Sequence, residues 1–395
     1  MSVLSELVSR ECPDGVPYKK LEELLEYEQP TKYIVKSTRY DDDYDTPVLT
    51  AGQSFILGHT NETDGHYLAS KDRPVVIFDD FTTSSHWVDF EFKVKSSAMK
   101  MLRPKTEDVS FKYVYYALNN IDYIPTNHSR QWISVFSQFR IPLPPLDVQE
   151  EIVEVLDRLT HEQENLIKAL NREIELRRMQ YEYYRDDLFA FDSTVAYKTL
   201  EDLCEIVDYR GKTPEKVENG IFLVTAKNIR KGFIDYEKSK EFIKEEDYDV
   251  VMKRGKPRIG DVLITTEAPC GNVAQVDRED IALAQRVIKY RPKDENELSC
   301  TFLKYYLLGK EFQTKLEQGS TGGTAKGIKG SKLHKLAIPV PDIDIQLRIA
   351  DMLDCYERSY TDLIRELEYE IELCEKKCKF YKNALFSLKE VKVDD

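Results

Sequence analysis

The chain has 395 residues, 41% hydrophobic and 32% charged, enough for two or three domains with real cores. A net charge of −14 speaks against a protein that coats polyanions all over its surface. No apolar run reaches the ~20 residues needed to span a bilayer. No secretory leader is expected, and the seven cysteines show no CxxC or metal-ligand spacing. A reduced, cytoplasmic protein with no metal centre is therefore expected.

An N-terminal segment (1–16) precedes a first globular part, 17–141. Short β-branched runs at Pro47–Gly52, Pro74–Asp80 and Lys100–Pro104 predict strands between polar turns, and Tyr115–Leu118 predicts a short helix. The polar loops hold Thr50, Gln53, Ser54, Asn61, Thr82, Thr83, Lys100, Asn127, Ser129, Arg130 and Gln131. Such side chains suit base edges and phosphates, although each also suits an ordinary solvated turn. Asp79-Asp80 reads as a strand end or turn, since no Lys is placed beside it to make a nuclease-like site.

The stop Pro142-Leu143-Pro144-Pro145 then opens a helical segment, 142–194, with Asp147 expected as N-cap and Glu150 completing a capping box. Apolar residues recur every three or four positions at Ile152, Leu156, Leu159, Leu166, Leu170, Ile174, Tyr181, Tyr184 and Leu188. No Pro or Gly interrupts the run, and a helix of about 40 residues would extend roughly 60 Å. A narrow stripe of that length calls for a partner helix.

The second globular part, 195–337, is a weak copy of the first. Tyr197–Leu203 (YKTLEDL) matches Tyr18–Leu24 (YKKLEEL), Asp261–Glu267 matches Pro74–Asp80, Ile288–Pro292 matches Lys100–Pro104, and Tyr305–Leu308 (YYLL) matches Tyr115–Leu118 (YYAL). Its loops offer Lys212, Thr213, Lys227, Asn228, Thr266, Gln285, Arg286, Ser320, Thr321, Thr324, Lys326 and Lys329. The Gly-rich stretch Gly322–Lys332 lacks the Lys-Ser/Thr of a phosphate loop. A second helical segment, 338–390, and a tail, 391–395, close the chain. Residues 338–386 repeat 141–189 without a gap at a constant offset of 197. The second stripe comprises Ile349, Leu353, Tyr356, Leu363, Leu367, Ile371, Tyr381 and Leu385, with Asp344 expected as the cap.

The charge is divided unevenly. Residues 142–195 carry −7 and 341–395 carry −5, whereas 17–141 carry −3 and 196–340 carry +3. Acidic struts bearing two nearly neutral globular parts are compatible with DNA binding by those parts, and equally with a soluble acidic scaffold. No DPPY- or NPPF-type tetrapeptide, FxGxG loop, HxH or HExxH occurs. A self-contained adenine methyltransferase or metalloenzyme is therefore disfavoured.

The duplicated "IPxP…Q…I…LD" helix ending in "LF" resembles that of the specificity (S, HsdS) subunits of type I restriction-modification systems. So do RGKTP (Arg210–Pro214), TAKNI (Thr225–Ile229), GDVLITTEAP (Gly260–Pro269) and ALAQR (Ala282–Arg286). The first half is most similar to the IC branch. The resemblance covers essentially the whole chain. It implies an α+β protein with two target recognition domains, each followed by a long helix, the helices pairing as an antiparallel coiled coil with pseudo-twofold symmetry. It further implies a non-catalytic prokaryotic DNA-binding subunit reading a bipartite double-stranded DNA target, without a cofactor of its own. The implied partners are two modification (M, HsdM) subunits carrying S-adenosylmethionine and restriction (R, HsdR) subunits using ATP and Mg. The alternative from another class is a coiled-coil scaffold with two ligand-binding domains and no DNA role.

Overall fold

The computed structural model describes residues 2–50, 55–126, 129–209, 214–322 and 326–391. The chain divides into two compact units, one of Met1–Ala169 with Tyr369–Asp395, the other of Leu170–Glu368. No described helix is long and apolar enough to cross a membrane.

In the first unit, Tyr18–Lys20 and Arg140–Pro142 form an antiparallel ribbon that closes the globular part. A four-stranded sheet has the order Leu25–Glu28, Met99–Pro104, Val75–Asp79, Ser85–Val88. Val75–Asp79 is buried at every position, its apolar run Val75–Phe78 suiting a central strand. A three-stranded sheet places Thr46–Leu49 between Ile56–Thr60 (antiparallel) and Lys93–Val94 (parallel). Helix Phe111–Asn119 starts at Ser110, whose hydroxyl accepts the Tyr113 N–H. It supplies Tyr113, Val114, Ala117 and Leu118 to a core shared with Val76, Phe78, Leu102, Trp132 and Phe136.

The second unit repeats this topology. Its ribbon joins Ala196–Thr199 to Ala337–Val340. The four-stranded sheet runs Cys204–Asp208, Val287–Pro292, Val262–Thr266, Cys270–Gln275. Ile221–Val224 lies between Phe242–Ile243 (antiparallel) and Ile281–Leu283 (parallel). Helix Cys300–Leu308 is capped by Ser299, and a further helix, Lys310–Gly319, follows it. The two cap serines correct the expected alignment of YYAL with YYLL. Counting from Ser110 and Ser299, Tyr116 corresponds to Tyr305, one residue out of register with the sequence match. The contacts agree. Tyr116 donates to Asp157 at 2.5 Å and Tyr305 to Asp354 at 2.7 Å, and these two aspartates are equivalent in the 197-residue repeat.

The long helices are Leu146–Asp187 and Ile343–Phe386, 42 and 44 residues, each about 65 Å long. Both begin one residue before the expected cap. Asp147 and Asp344 therefore stand in the first turn, where a carboxylate complements the helix dipole. The apolar stripes serve two purposes rather than one. In the first unit, Ile152 and Leu156 enter the domain core with Val148, and Leu385 and Phe386 from the end of the second helix join the same cluster. In the second unit, Ile349 and Leu353 enter the core, as does Phe189, with Leu188 packed against it. Helix-to-helix pairing is seen where Tyr181 stacks on Tyr360 at 4.8 Å and Tyr184 meets Tyr356 edge-on at 5.8 Å. That order is antiparallel. Leu170 is buried there, and Ile174, Leu363 and Leu367 are half-buried. Leu159 and Ile371 are half-buried in the first unit. Leu166, Tyr184 and Tyr381 are over two-fifths exposed, so they stand at the margin of the stripe, Tyr184 touching the facing helix only by its ring edge.

Candidate nucleic-acid interface

In each unit, loops gather at one end of the four-stranded sheet. In the first, adjacent carboxylates organise two of them. Asp79 accepts the Phe81 N–H at 2.8 Å and the Thr82 hydroxyl at 2.7 Å, and its carbonyl accepts Thr83 N–H at 2.9 Å. This closes a turn with Thr83 in the left-handed region, φ 63°. Asp80 reaches across to the loop before Trp132. Its carbonyl accepts Gln131 N–H and its Oδ1 accepts Trp132 N–H, both at 2.8 Å. The Asp80 N–H donates to Ala98 O at 3.3 Å, which ties in a third loop.

A lysine does stand beside this acidic pair, contrary to the sequence expectation. Lys100 Nζ is 3.6 Å from Asp80 Oδ2. Both side chains are almost wholly buried, and Lys100 lies over the Tyr27 ring. Burial pushes its ammonium below the usual lysine range, against the pull of Asp80. Lys100 is therefore an internal clamp and not a DNA contact. Gln131 is also buried. It accepts the Tyr123 hydroxyl and donates to Ser129 O, both at 2.8 Å. Thr82, Ser129, Arg130 and Asn61 are exposed, while Thr50 and Thr83 are half-buried.

In the second unit, Thr266 N–H and hydroxyl both donate to Arg286 O, at 2.9 and 3.3 Å, and Thr266 O accepts Ile328 N–H at 3.0 Å. Gly327 exchanges two backbone bonds with Thr321 and bridges to Glu267. A Cβ on Gly327 would stand 3.3 Å from Thr266 O, so the close approach favours glycine. Three stretches of chain again converge: 267–269, 284–286, and the residues Thr321, Gly327 and Ile328. Arg286 is exposed, has φ 69°, and places Nε 3.2 Å from Glu267 Oε2. Lys227, Thr321, Lys326 and Lys329 are exposed, with Lys326 paired to Glu317. Thr266 is buried, whereas Ser320 and Gln285 are half-buried, Ser320 donating to Leu316 O at 2.8 Å. Asn228 is fully buried. It accepts Thr225 N–H and hydroxyl and donates to Asp235 O and Ser239 O. It is a loop staple and not a base reader. Gln53, Ser54, Asn127, Lys212, Thr213 and Thr324 lie outside the described residues.

Asp80, expected only as a strand end or turn, and Glu267, which falls in the second domain's polar loops, each hold two loops together. The alignment of Pro74–Asp80 with Asp261–Glu267 carried that signal, because it places both acids at the same strand end. No cluster of three or more metal-binding side chains occurs among the described residues.

Duplicated sheets with loops gathered at one end, joined to long helices, define a two-domain recognition protein. The chain matches the family described as the type I restriction modification DNA specificity domain twice, over residues 13–176 and 192–373. It is 38% identical over 418 aligned residues to the EcoR124I/EcoR124II type I restriction enzyme specificity subunit of Escherichia coli, covering 98% of this chain and 97% of that one. The MjaVIII specificity subunit of Methanocaldococcus jannaschii is 26% identical over 74% of this chain and 73% of its own. A solved chain from a study of complex assembly and conformational transition of the type I R-M system shares the fold, with TM-score 0.68, 18% identity and coverage of 95% and 98%. This chain belongs to the type I restriction-modification DNA specificity family.

Proposed function

We propose that the chain is the non-catalytic specificity subunit of a type I restriction-modification complex in the cytoplasm. Domains 17–141 and 195–337 each read one half of a bipartite duplex target, and helical segments 142–194 and 338–390 set the unread gap. The observation that carries this reading is the pair of equivalent loop clusters. The same sheet end in each domain is braced from within, yet it presents different exposed side chains: Thr82, Ser129 and Arg130 in one, Thr321, Arg286 and Lys329 in the other. A common scaffold with divergent tips suits two different half-sites.

Two modification subunits, carrying S-adenosylmethionine and flipping out an adenine, would dock on the helices. Exposed apolar side chains at Leu176, Met179 and Tyr183 on one helix and at Leu347 and Met352 on the other support docking there. Restriction subunits using ATP and Mg would complete the nuclease. Co-expression with the cognate modification subunit and genome-wide mapping of methyladenine tests the reading. Two short specified elements with a fixed gap are expected. A folded, assembled complex that writes no split motif would leave a scaffold without a DNA role as the better account.

A further inference from the structure

Resting on the proposed specificity function, one residue pair in the second domain can be given a definite task. Arg286 lies between Leu283 and Val287, both buried at strand ends, so its Cα is held by the sheet. Its carbonyl is gripped twice by Thr266, and its φ of 69° is one that side-chain-bearing residues rarely adopt. Glycine would meet that backbone without strain, so an arginine at this exposed, awkward position points to a use for the side chain. The guanidinium and the Glu267 carboxylate are 53% and 44% exposed. An ion pair that open to water contributes little to stability, which removes a purely structural reason for it. Pairing through Nε leaves the two Nη groups, and no second ion pair to Arg286 occurs among the described residues.

We propose that Arg286 reads a guanine in the second half-site, with Glu267 as its positioning residue. An arginine fork matches guanine O6 and N7 in the major groove. The carboxylate narrows the geometry. Phosphates repel it, so Glu267 is tolerated on a DNA-facing tip only over base edges, where a cytosine or adenine amino group donates to it. Holding Nε, it also turns the guanidinium plane. Lys326 and Lys329 on the neighbouring loop are point charges suited to phosphates rather than to a forked base contact.

The test uses the full chain assembled with its modification subunit, and maps methyladenine for the wild type, Arg286→Gly, Arg286→Lys and Glu267→Gln. Arg286→Gly removes the side chain at a position that favours glycine, so the thermal midpoint is expected not to fall. Its motif should relax at one guanine of the second half-site, with discrimination there dropping roughly 10- to 100-fold, while the first half-site and the gap stay unchanged. Arg286→Lys keeps the charge but not the fork and should relax the same position; a phosphate contact would survive that change. Glu267→Gln should keep guanine as the preferred base with weaker discrimination. A wild-type second half-site made only of A·T pairs overturns the assignment, as does a split motif left unchanged by both Arg286 variants. Failure of the wild-type complex to write any split motif would instead sink the specificity reading on which the assignment rests.

Discussion

The side chain of Gln149 accepts the backbone N–H of Ser110 at 3.0 Å, and Gln346 repeats that bond to Ser299 at the same distance. Each amide then donates to the proline carbonyl that precedes its own helix, Pro144 O or Pro341 O, at 2.8 Å. Both glutamines are buried. They stitch the first turn of each long helix to the cap of its domain's last helix, and so fix the direction in which the helix leaves.

Replacing Gln149 or Gln346 with Leu leaves a buried donor and a buried acceptor without partners. A loss of about 2 kcal/mol or more is expected for each, read as a lower urea midpoint with unchanged slope. An unchanged midpoint would mean that water replaces the glutamine at no cost.

Lys100 separates stability from DNA contact. Lys100→Met strands the Asp80 carboxylate in the core and should cost about 3–5 kcal/mol. The salt dependence of DNA binding by the assembled complex should be the same as wild type, because no phosphate contact is lost. A slope smaller by about 1 would return Lys100 to the interface. Arg130→Ala should do the reverse, weakening DNA binding at constant stability.

Two thiols report on the second core. Burial pushes Cys204 up to about 12 and Cys300 up to about 11. An acid held neutral by the fold contributes stability that is complete below its unfolded value of 9.0, and that contribution disappears as pH rises through 11 to 12. Urea stability should therefore fall from pH 9 upward, less steeply in Cys204→Ala. At pH 8 a thiol reagent should modify the exposed Cys355 in the native protein, the half-buried Cys300 more slowly, and the buried Cys204 only in denaturant. Fast native labelling of Cys204 would contradict the burial.

The helices can be tested as a ruler. Inserting one helical turn of residues into one of them should change the length of the unread gap in the methylated motif and leave both half-sites intact. A changed half-site would show that helix and recognition loops are not separable.

The duplication, the two uninterrupted helices and the strand runs are legible in the residues, because each is written in local periodicity or in a constant offset between copies; the family is legible in longer motifs such as GDVLITTEAP and ALAQR. Which polar residues face outward is legible only in the folded chain. Lys100, Gln131 and Asn228 have the composition of solvated turn residues, yet all three are buried. Their burial depends on partners such as Asp80, 52 residues from Trp132, a distance at which no local pattern informs. The one-residue slip between YYAL and YYLL has the same origin. Identity favours matching tyrosines, whereas the serine caps and the aspartates of the long helices set the true register. The apolar stripe was legible as a stripe, but its division between domain core and helix pairing was not. An Ile or Leu buries equally well against a sheet or a second helix, and only the folded chain shows which surface reaches it first.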